Sequence, residues 1–172
     1  TLCPKEALKM CDENTICIVP IAGVTWTGLN DDVEALDREL DAYNRMTGYD
    51  IPIHVDAASG GFILPFVSPD TRWDFRLKWV YSISTSGHKF GLVYPGLGWV
   101  IWRDRALLPK EMSFSVNYLG AEVTQVGLNF SRPAAQILGQ YYNFIRLGRE
   151  GYHNIQHNSM EIARYCHRRI GH

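Results

Sequence analysis

Lys89 stands in the run Ser84-Thr-Ser-Gly-His-Lys-Phe-Gly91, directly after the apolar stretch Trp79-Val-Tyr-Ser-Ile83. Upstream, Ile51-Pro-Ile-His-Val55 ends on Asp56-Ala-Ala-Ser-Gly-Gly61. An amine and a carboxylate, each just past a separate strand-like run, suit one chemistry in particular. The amine can form a Schiff base with a carbonyl, and the carboxylate can keep a ring nitrogen protonated. Those are the two demands that pyridoxal phosphate makes of a protein. Small residues before Lys89 let the backbone approach a bound group, and Ser86 and His88 can donate to a phosphate from such a loop. Burial or a neighbouring cation would favour the free amine at Lys89.

The surrounding residues carry more than one reading. Asp56 could be a turn or cap residue, since Ser59-Gly-Gly61 follows it, but Ala57 and Ala58 leave room for a flat ring against the backbone. His54 lies on the same strand face as Asp56 and reads either as its partner or as a core histidine with a satisfied hydrogen bond. Thr25, in the glycine-flanked loop Ala22–Gly28, points to the same rim or simply serves the turn.

These side chains need elements to position them. Thr15–Pro20 is a short β-branched run and predicts a buried strand. Asn30-Asp-Asp32 can cap a helix whose apolar positions Val33, Leu36, Leu40 and Tyr43 fall at helical spacing and which Gly48 ends. With the Asp56 strand next, the order is strand, helix, strand, the unit of a parallel sheet. Val80–Ser84 and Gly98–Trp102 supply further strands. Ser113–Tyr118 and Glu122–Phe130 alternate loosely around Leu119-Gly120 and predict a hairpin. Pro133 suits the start of a helix running to about Leu147, and a last helix begins near Tyr152. The pattern is open at both ends, so the chain reads as a fragment of a larger protein.

Composition narrows the classes. The 172 residues are 46% hydrophobic and 20% charged with a formal net charge of -1, which describes a folded chain with its own core. The scattered lysines and arginines form no stripe for nucleic acid, and no apolar run approaches the ~20 residues needed to cross a bilayer. Cys3, Cys11, Cys17 and Cys166 lack the paired spacing of a zinc site and read as ordinary thiols. His153 and His157 are one helical turn apart without a third ligand nearby, and read as a solvated helix face rather than a metal site.

The chain resembles the pyridoxal phosphate-dependent glutamate decarboxylases of plants, fungi and bacteria. The resemblance is carried by His54-Val-Asp-Ala-Ala-Ser-Gly-Gly-Phe62, Trp73-Asp-Phe-Arg-Leu77, Ser86-Gly-His-Lys-Phe-Gly91, Gly98-Trp-Val-Ile-Trp-Arg103, Asn117-Tyr-Leu-Gly120, Asn129-Phe-Ser-Arg-Pro133 and Arg146-Leu-Gly-Arg-Glu-Gly-Tyr152. Ser-Gly-His-Lys is shared with other decarboxylases of the fold, while Trp-Asp-Phe-Arg-Leu, Asn-Phe-Ser-Arg-Pro and Arg-Leu-Gly-Arg-Glu-Gly-Tyr are narrower.

The resemblance implies an α/β chain belonging to the large domain of a pyridoxal phosphate-dependent transferase-like (fold type I) enzyme, with a mostly parallel sheet flanked by helices. Residues 1–172 would be a partial cofactor-binding domain, lacking an N-terminal part and a small C-terminal domain. The cofactor implied is pyridoxal 5'-phosphate, and the reaction converts L-glutamate to 4-aminobutyrate and carbon dioxide. By the same resemblance Lys89 is the Schiff-base lysine, Asp56 the pyridine-nitrogen partner, and Ala58 packs on a ring face. Ser86 and His88 contact the phosphate, and Thr25 lies near substrate carboxylate and cofactor. Phe130 and Ser131 reach a neighbouring subunit's site, Ser131 toward its phosphate, which implies a homo-oligomer built from dimers with shared active sites. A cytoplasmic location is expected, with no nucleic-acid or membrane partner. The isolated piece would be inactive, with a bare sheet edge.

Two alternatives stay open: a decarboxylase of the same fold acting on histidine or an aromatic amino acid, and an inactive homologue. A nucleotide-binding domain would need a Gly-x-Gly-x-x-Gly or a phosphate-loop pattern, and the sequence has neither.

Overall fold

The computed structural model describes residues 1–108, the backbone of 114–118 and 121–125, and residues 133–170. The chain starts with a short helix, α1 (Pro4–Lys9), which has proline in its first turn. The expected strand at Thr15–Pro20 is only half formed: Ile18 pairs with Ile53 and Ile21 with Asp56 as separate parallel bridges. Proline is the cause. Ile18 and Ala22 donate to the carbonyls of Pro52 and Asp56, while His54 and Asp56 donate to those of Ile18 and Pro20. The rung left out is the one that needs an amide on Pro20.

Helix α2 (Val33–Thr47) follows the expected pattern. The Asp32 carboxylate accepts from the Ala35 amide, Gly48 closes the helix in the left-handed region (φ 79°), and Val33, Leu36 and Leu40 are buried. The face-inward position expected for Tyr43 is shared with Asn44, which is buried and spans to the Ile51 backbone through both its amide and its carbonyl.

Strand β1 (Ile53–Asp56) runs parallel to β2 (Val80–Ser86), and β3 (Gly98–Trp102) adds on antiparallel. The sheet is therefore mixed, parallel as far as β2 and reversed at β3, because the loop before Gly98 is too short for a crossover. Register gives the two faces different characters. Val55 sits beside Ile83, while His54 and Asp56 sit beside Ser82 and Ser84. The first pair joins Leu36, Leu40, Trp73, Leu77 and Trp79 in the core. The second makes the opposite face polar.

Between β1 and β2 lie a 3-10 turn at Gly60–Phe62 and a one-turn helix, α3 (Leu64–Val67), too short to leave a helical period in the sequence. The Trp-Asp-Phe-Arg-Leu stretch is a tied loop. Arg76 donates to Asp74 Oδ1 and to the carbonyls of Pro69 and Thr71, and Arg103 reaches the carbonyls of Phe75, Leu77 and Val80.

The hairpin forms from β4 (Phe114–Tyr118) and β5 (Ala121–Gln125), with Val116 opposite Val123. Its Leu119-Gly120 turn, the stretch beyond Gln125, and Phe130 and Ser131 lie outside the described residues. Helix α4 (Ala135–Ile170) contains both expected helices, joined at Gly148, whose φ of 57° and ψ of -166° are not helical. Among the described residues no helix is long and apolar enough to cross a membrane.

Candidate active site

Asp56 is the last residue of β1 and Ser86 the last of β2, so the two candidate loops leave the same end of adjacent parallel strands. That end is where ligands collect in such sheets. The Asp56 turn is drawn tight: its Oδ1 accepts from the Ala58 amide at 3.0 Å. The turn reading is thus correct as far as that oxygen goes. Oδ2 has no hydrogen-bond partner among the described residues.

Small residues are needed where the loops meet. A Cβ on Gly60 would stand 2.6 Å from the Ala22 carbonyl oxygen, and one on Gly23 would stand 2.9 Å from the Gly60 nitrogen. The Thr25 loop is thereby fastened to the Asp56 turn, with Gly60 donating to Ala22 and Ala22 donating to Asp56.

Lys89 Nζ reaches the Ser59 hydroxyl at 3.4 Å. The lysine is exposed, so these residues do not bury it as expected. Thr25, Ser59, Gly60, Lys89, Phe90 and Gln156 line a cavity of about 540 Å³, within the range of roughly 300–1,000 Å³ common to small-molecule sites. Of the candidate residues, Thr25 and Lys89 are therefore brought to the same cavity. Asp56, Ala58, Ser86 and His88 do not line that cavity. Asp56 and Ala58 remain half-buried beside it.

His88 needs a restriction. Its Nδ1 donates to the Leu97 carbonyl at 2.9 Å, which leaves Nε2 of the neutral ring without a proton. It can donate to a phosphate only as an imidazolium. The Ser86 hydroxyl has no protein partner among the described residues, and its amide is tied to the Ala58 carbonyl. His54 is settled as the satisfied histidine: Nδ1 meets Ser82 and Nε2 meets Ser84. Burial pushes its pKa down, against the attraction of Asp56.

The residues fit pyridoxal phosphate on their own chemistry. A primary amine faces a cavity of suitable size, a carboxylate oxygen lies open at the adjacent strand end, and glycines clear the backbone between them. Ser59 was missed in the sequence because a serine in a glycine turn looks like turn chemistry. Gln140, Tyr152 and Gln156, all buried on α4, were missed too. Their signal was a pair of glutamines at four-residue steps along a face that otherwise carries Phe144 and Tyr152.

The α/β fold with its mixed sheet is that of a fragment of a fold type I pyridoxal phosphate enzyme, as the solved structure it superposes on shows. The chain matches the pyridoxal-dependent decarboxylase conserved domain over residues 1–172 and belongs to that family. It is 56% identical over 160 residues to glutamate decarboxylase beta of Listeria innocua, covering 93% of this chain and 34% of that protein. It is 57% identical over 161 residues to glutamate decarboxylase 5 of Arabidopsis thaliana, covering 94% and 33%. The solved glutamate decarboxylase of Lactobacillus brevis superposes with a TM-score of 0.93 at 53% identity, over 98% of this chain and 38% of that one. The chain thus spans about a third of the length of the curated relatives it matches.

Proposed function

We propose that these residues form part of the cofactor-binding large domain of a glutamate decarboxylase, which converts L-glutamate to 4-aminobutyrate and carbon dioxide. The observation that carries the reading is the placement of Lys89 on the cavity wall with Ser59, while Asp56 holds an open carboxylate oxygen at the next strand end. The relatives named as glutamate decarboxylases, at 56% and 57% identity, support glutamate over histidine or aromatic substrates.

When bound, pyridoxal phosphate supplies an electron sink for the pair released as a carboxylate departs as carbon dioxide. Lys89 would hold the group by its carbonyl carbon, with the Ser59 hydroxyl keeping Nζ near the wall. Asp56 would hold a proton at the ring nitrogen through Oδ2, its Oδ1 being fixed by the Ala58 amide. Ala58 would support the ring, Ser86 would donate to the phosphate, and His88 would join it when charged. Thr25 stands across the cavity where a substrate carboxylate would lie. Ile63, Leu64 and Val67 line the apolar side and exclude water.

The same reading assigns Phe130 and Ser131 to the site of a second copy, making the enzyme a homo-oligomer of dimers in the cytoplasm. The support for that assembly is the Asn-Phe-Ser-Arg-Pro motif.

The test is carbon dioxide release from L-glutamate by the full-length protein supplied with pyridoxal phosphate, in wild type and Lys89→Ala. Release that the substitution abolishes is the expected result. A wild type that binds cofactor yet leaves glutamate untouched would overturn the reading, and a panel of amino acids would then identify the substrate or an inactive homologue.

A further inference from the structure

The loop after Lys89 is held from outside itself. Its carbonyls at Phe90, Gly91 and Leu92 point away from the loop and are each received by a side chain of α4. Gln156 Nε2 donates to Phe90 at 2.8 Å, and Asn143 Nδ2 donates to Leu92 at 2.8 Å. Gly91 accepts from both Gln140 Nε2 at 2.8 Å and the Tyr152 hydroxyl at 2.9 Å. Gln140 also donates to the Tyr152 oxygen at 2.8 Å, closing a triangle.

The backbone shows why such support is needed. Leu92 is the only non-glycine residue with positive φ among those described, at 66°. A non-glycine side chain there is strained and persists only when its surroundings over-determine it. The loop also has little purchase of its own, with the Lys89 and Val93 amides bonded to Ser86 and Gly87 at 3.3 Å. Gln140 and Gln156 are 0% and 2% exposed, and buried amides are retained at a desolvation cost unless paired. Burial pushes the Tyr152 phenol up, with the Gln140 amide opposing, so the hydroxyl keeps the proton it donates.

We propose that Gln140, Tyr152 and Gln156 are positioning residues for Lys89: α4 clamps the strained loop that follows the lysine and so presents its amine to the cavity. The inference rests on Lys89 being the cofactor-bearing lysine. Gly148 belongs to the same device, because its turn between the two arms of α4 lets Gln140 and Tyr152 converge on one carbonyl.

The test uses the full-length protein with Tyr152→Phe, Gln140→Met and Gln156→Leu, and Leu40→Val as a control that loosens the apolar core on α2 but leaves the clamp and its donors in place. Two quantities are read: hydrogen exchange at the Lys89 and Val93 amides, and the rate at which added pyridoxal phosphate becomes borohydride-trapped on Lys89, located by peptide mass. Each donor variant should speed loop exchange and slow trapping by about tenfold, the effect of one buried hydrogen bond. Gln140→Met and Tyr152→Phe should be non-additive, since they share one acceptor. Leu40→Val should lower Tm while leaving trapping unchanged. Wild-type exchange and trapping in the donor variants would overturn the proposal, as would equal slowing in Leu40→Val. If wild type is never trapped at Lys89, the cofactor reading fails instead, and loop exchange alone decides the clamp.

Discussion

The His54 ring meets the Ser82 hydroxyl at 2.7 Å across the β1–β2 ladder. It turns what would be a lone imidazole beside Asp56 into a tie between two strands, with Ser84 on its other nitrogen. Burial holds its pKa below the ordinary value. A group whose folded pKa is depressed in this way binds its proton first in the unfolded chain. Stability is therefore full above the unfolded pKa of about 6.5 and declines as pH falls below it toward the folded value.

The slope cannot exceed about 1.4 kcal/mol per pH unit for one proton, and the half-exposed ring keeps the total well under that limit. Urea midpoints from pH 8 to 5 should therefore fall more in wild type than in His54→Gln. Parallel curves would remove His54 from the account.

Asp56→Asn separates the turn from the charge. The amide oxygen can still accept from Ala58, so the fold and the urea midpoint should hardly move. If the full-length protein decarboxylates glutamate as proposed, that release should fall by roughly 10²–10³, the usual effect of removing one oriented electrostatic contact in a site. Steady-state rates beside equilibrium unfolding would check this, and an active Asp56→Asn would exclude the carboxylate as the ring-nitrogen partner.

Gly148→Ala tests the joint of α4. Space is not the issue, since nothing lies within 4 Å of the added Cβ. The φ/ψ pair is one that glycine alone visits readily, so the substitution should cost about 1–3 kcal/mol. A denaturation midpoint unchanged from wild type would mean the two arms can join in another conformation.

Asp32→Ala removes the side chain that accepts from Ala35 at 2.9 Å at the start of α2. A loss of about 1 kcal/mol is expected, and Asp32→Ser should recover most of it in the same unfolding assay. Activity should be untouched per folded molecule, because α2 lies against the apolar side of the sheet.

Much of this architecture was legible in the residues because its causes are local. Asp32 and Gly48 bound α2 through the cap chemistry of a few neighbouring atoms, and the β-branched runs around Val55 and Ile83 mark buried strands. Lys89 and Asp56 could be singled out because their types and strand-end positions suffice to suggest imine and ring-nitrogen chemistry. Two of the stretches that narrowed the family, Trp73–Leu77 and Arg146–Tyr152, by contrast carry arginines, Arg76 and Arg149, that act as structural ties. Arg76 and Arg103 hold a loop by its carbonyls, and Arg149 and His153 donate to the end of α3 at Pro65 and Phe66.

What only the tertiary structure decided depends on distant partners. Pro20 falling on the one rung that needs its amide, and Nδ1 of His88 being committed to Leu97, follow from neighbours that sequence spacing does not reveal. The support of the lysine loop is the clearest case. Gln140, Tyr152 and Gln156 lie about fifty residues or more from the carbonyls they receive. A glutamine on a helix carries no mark of its acceptor until the chain has folded back and excluded the water that would otherwise take its place.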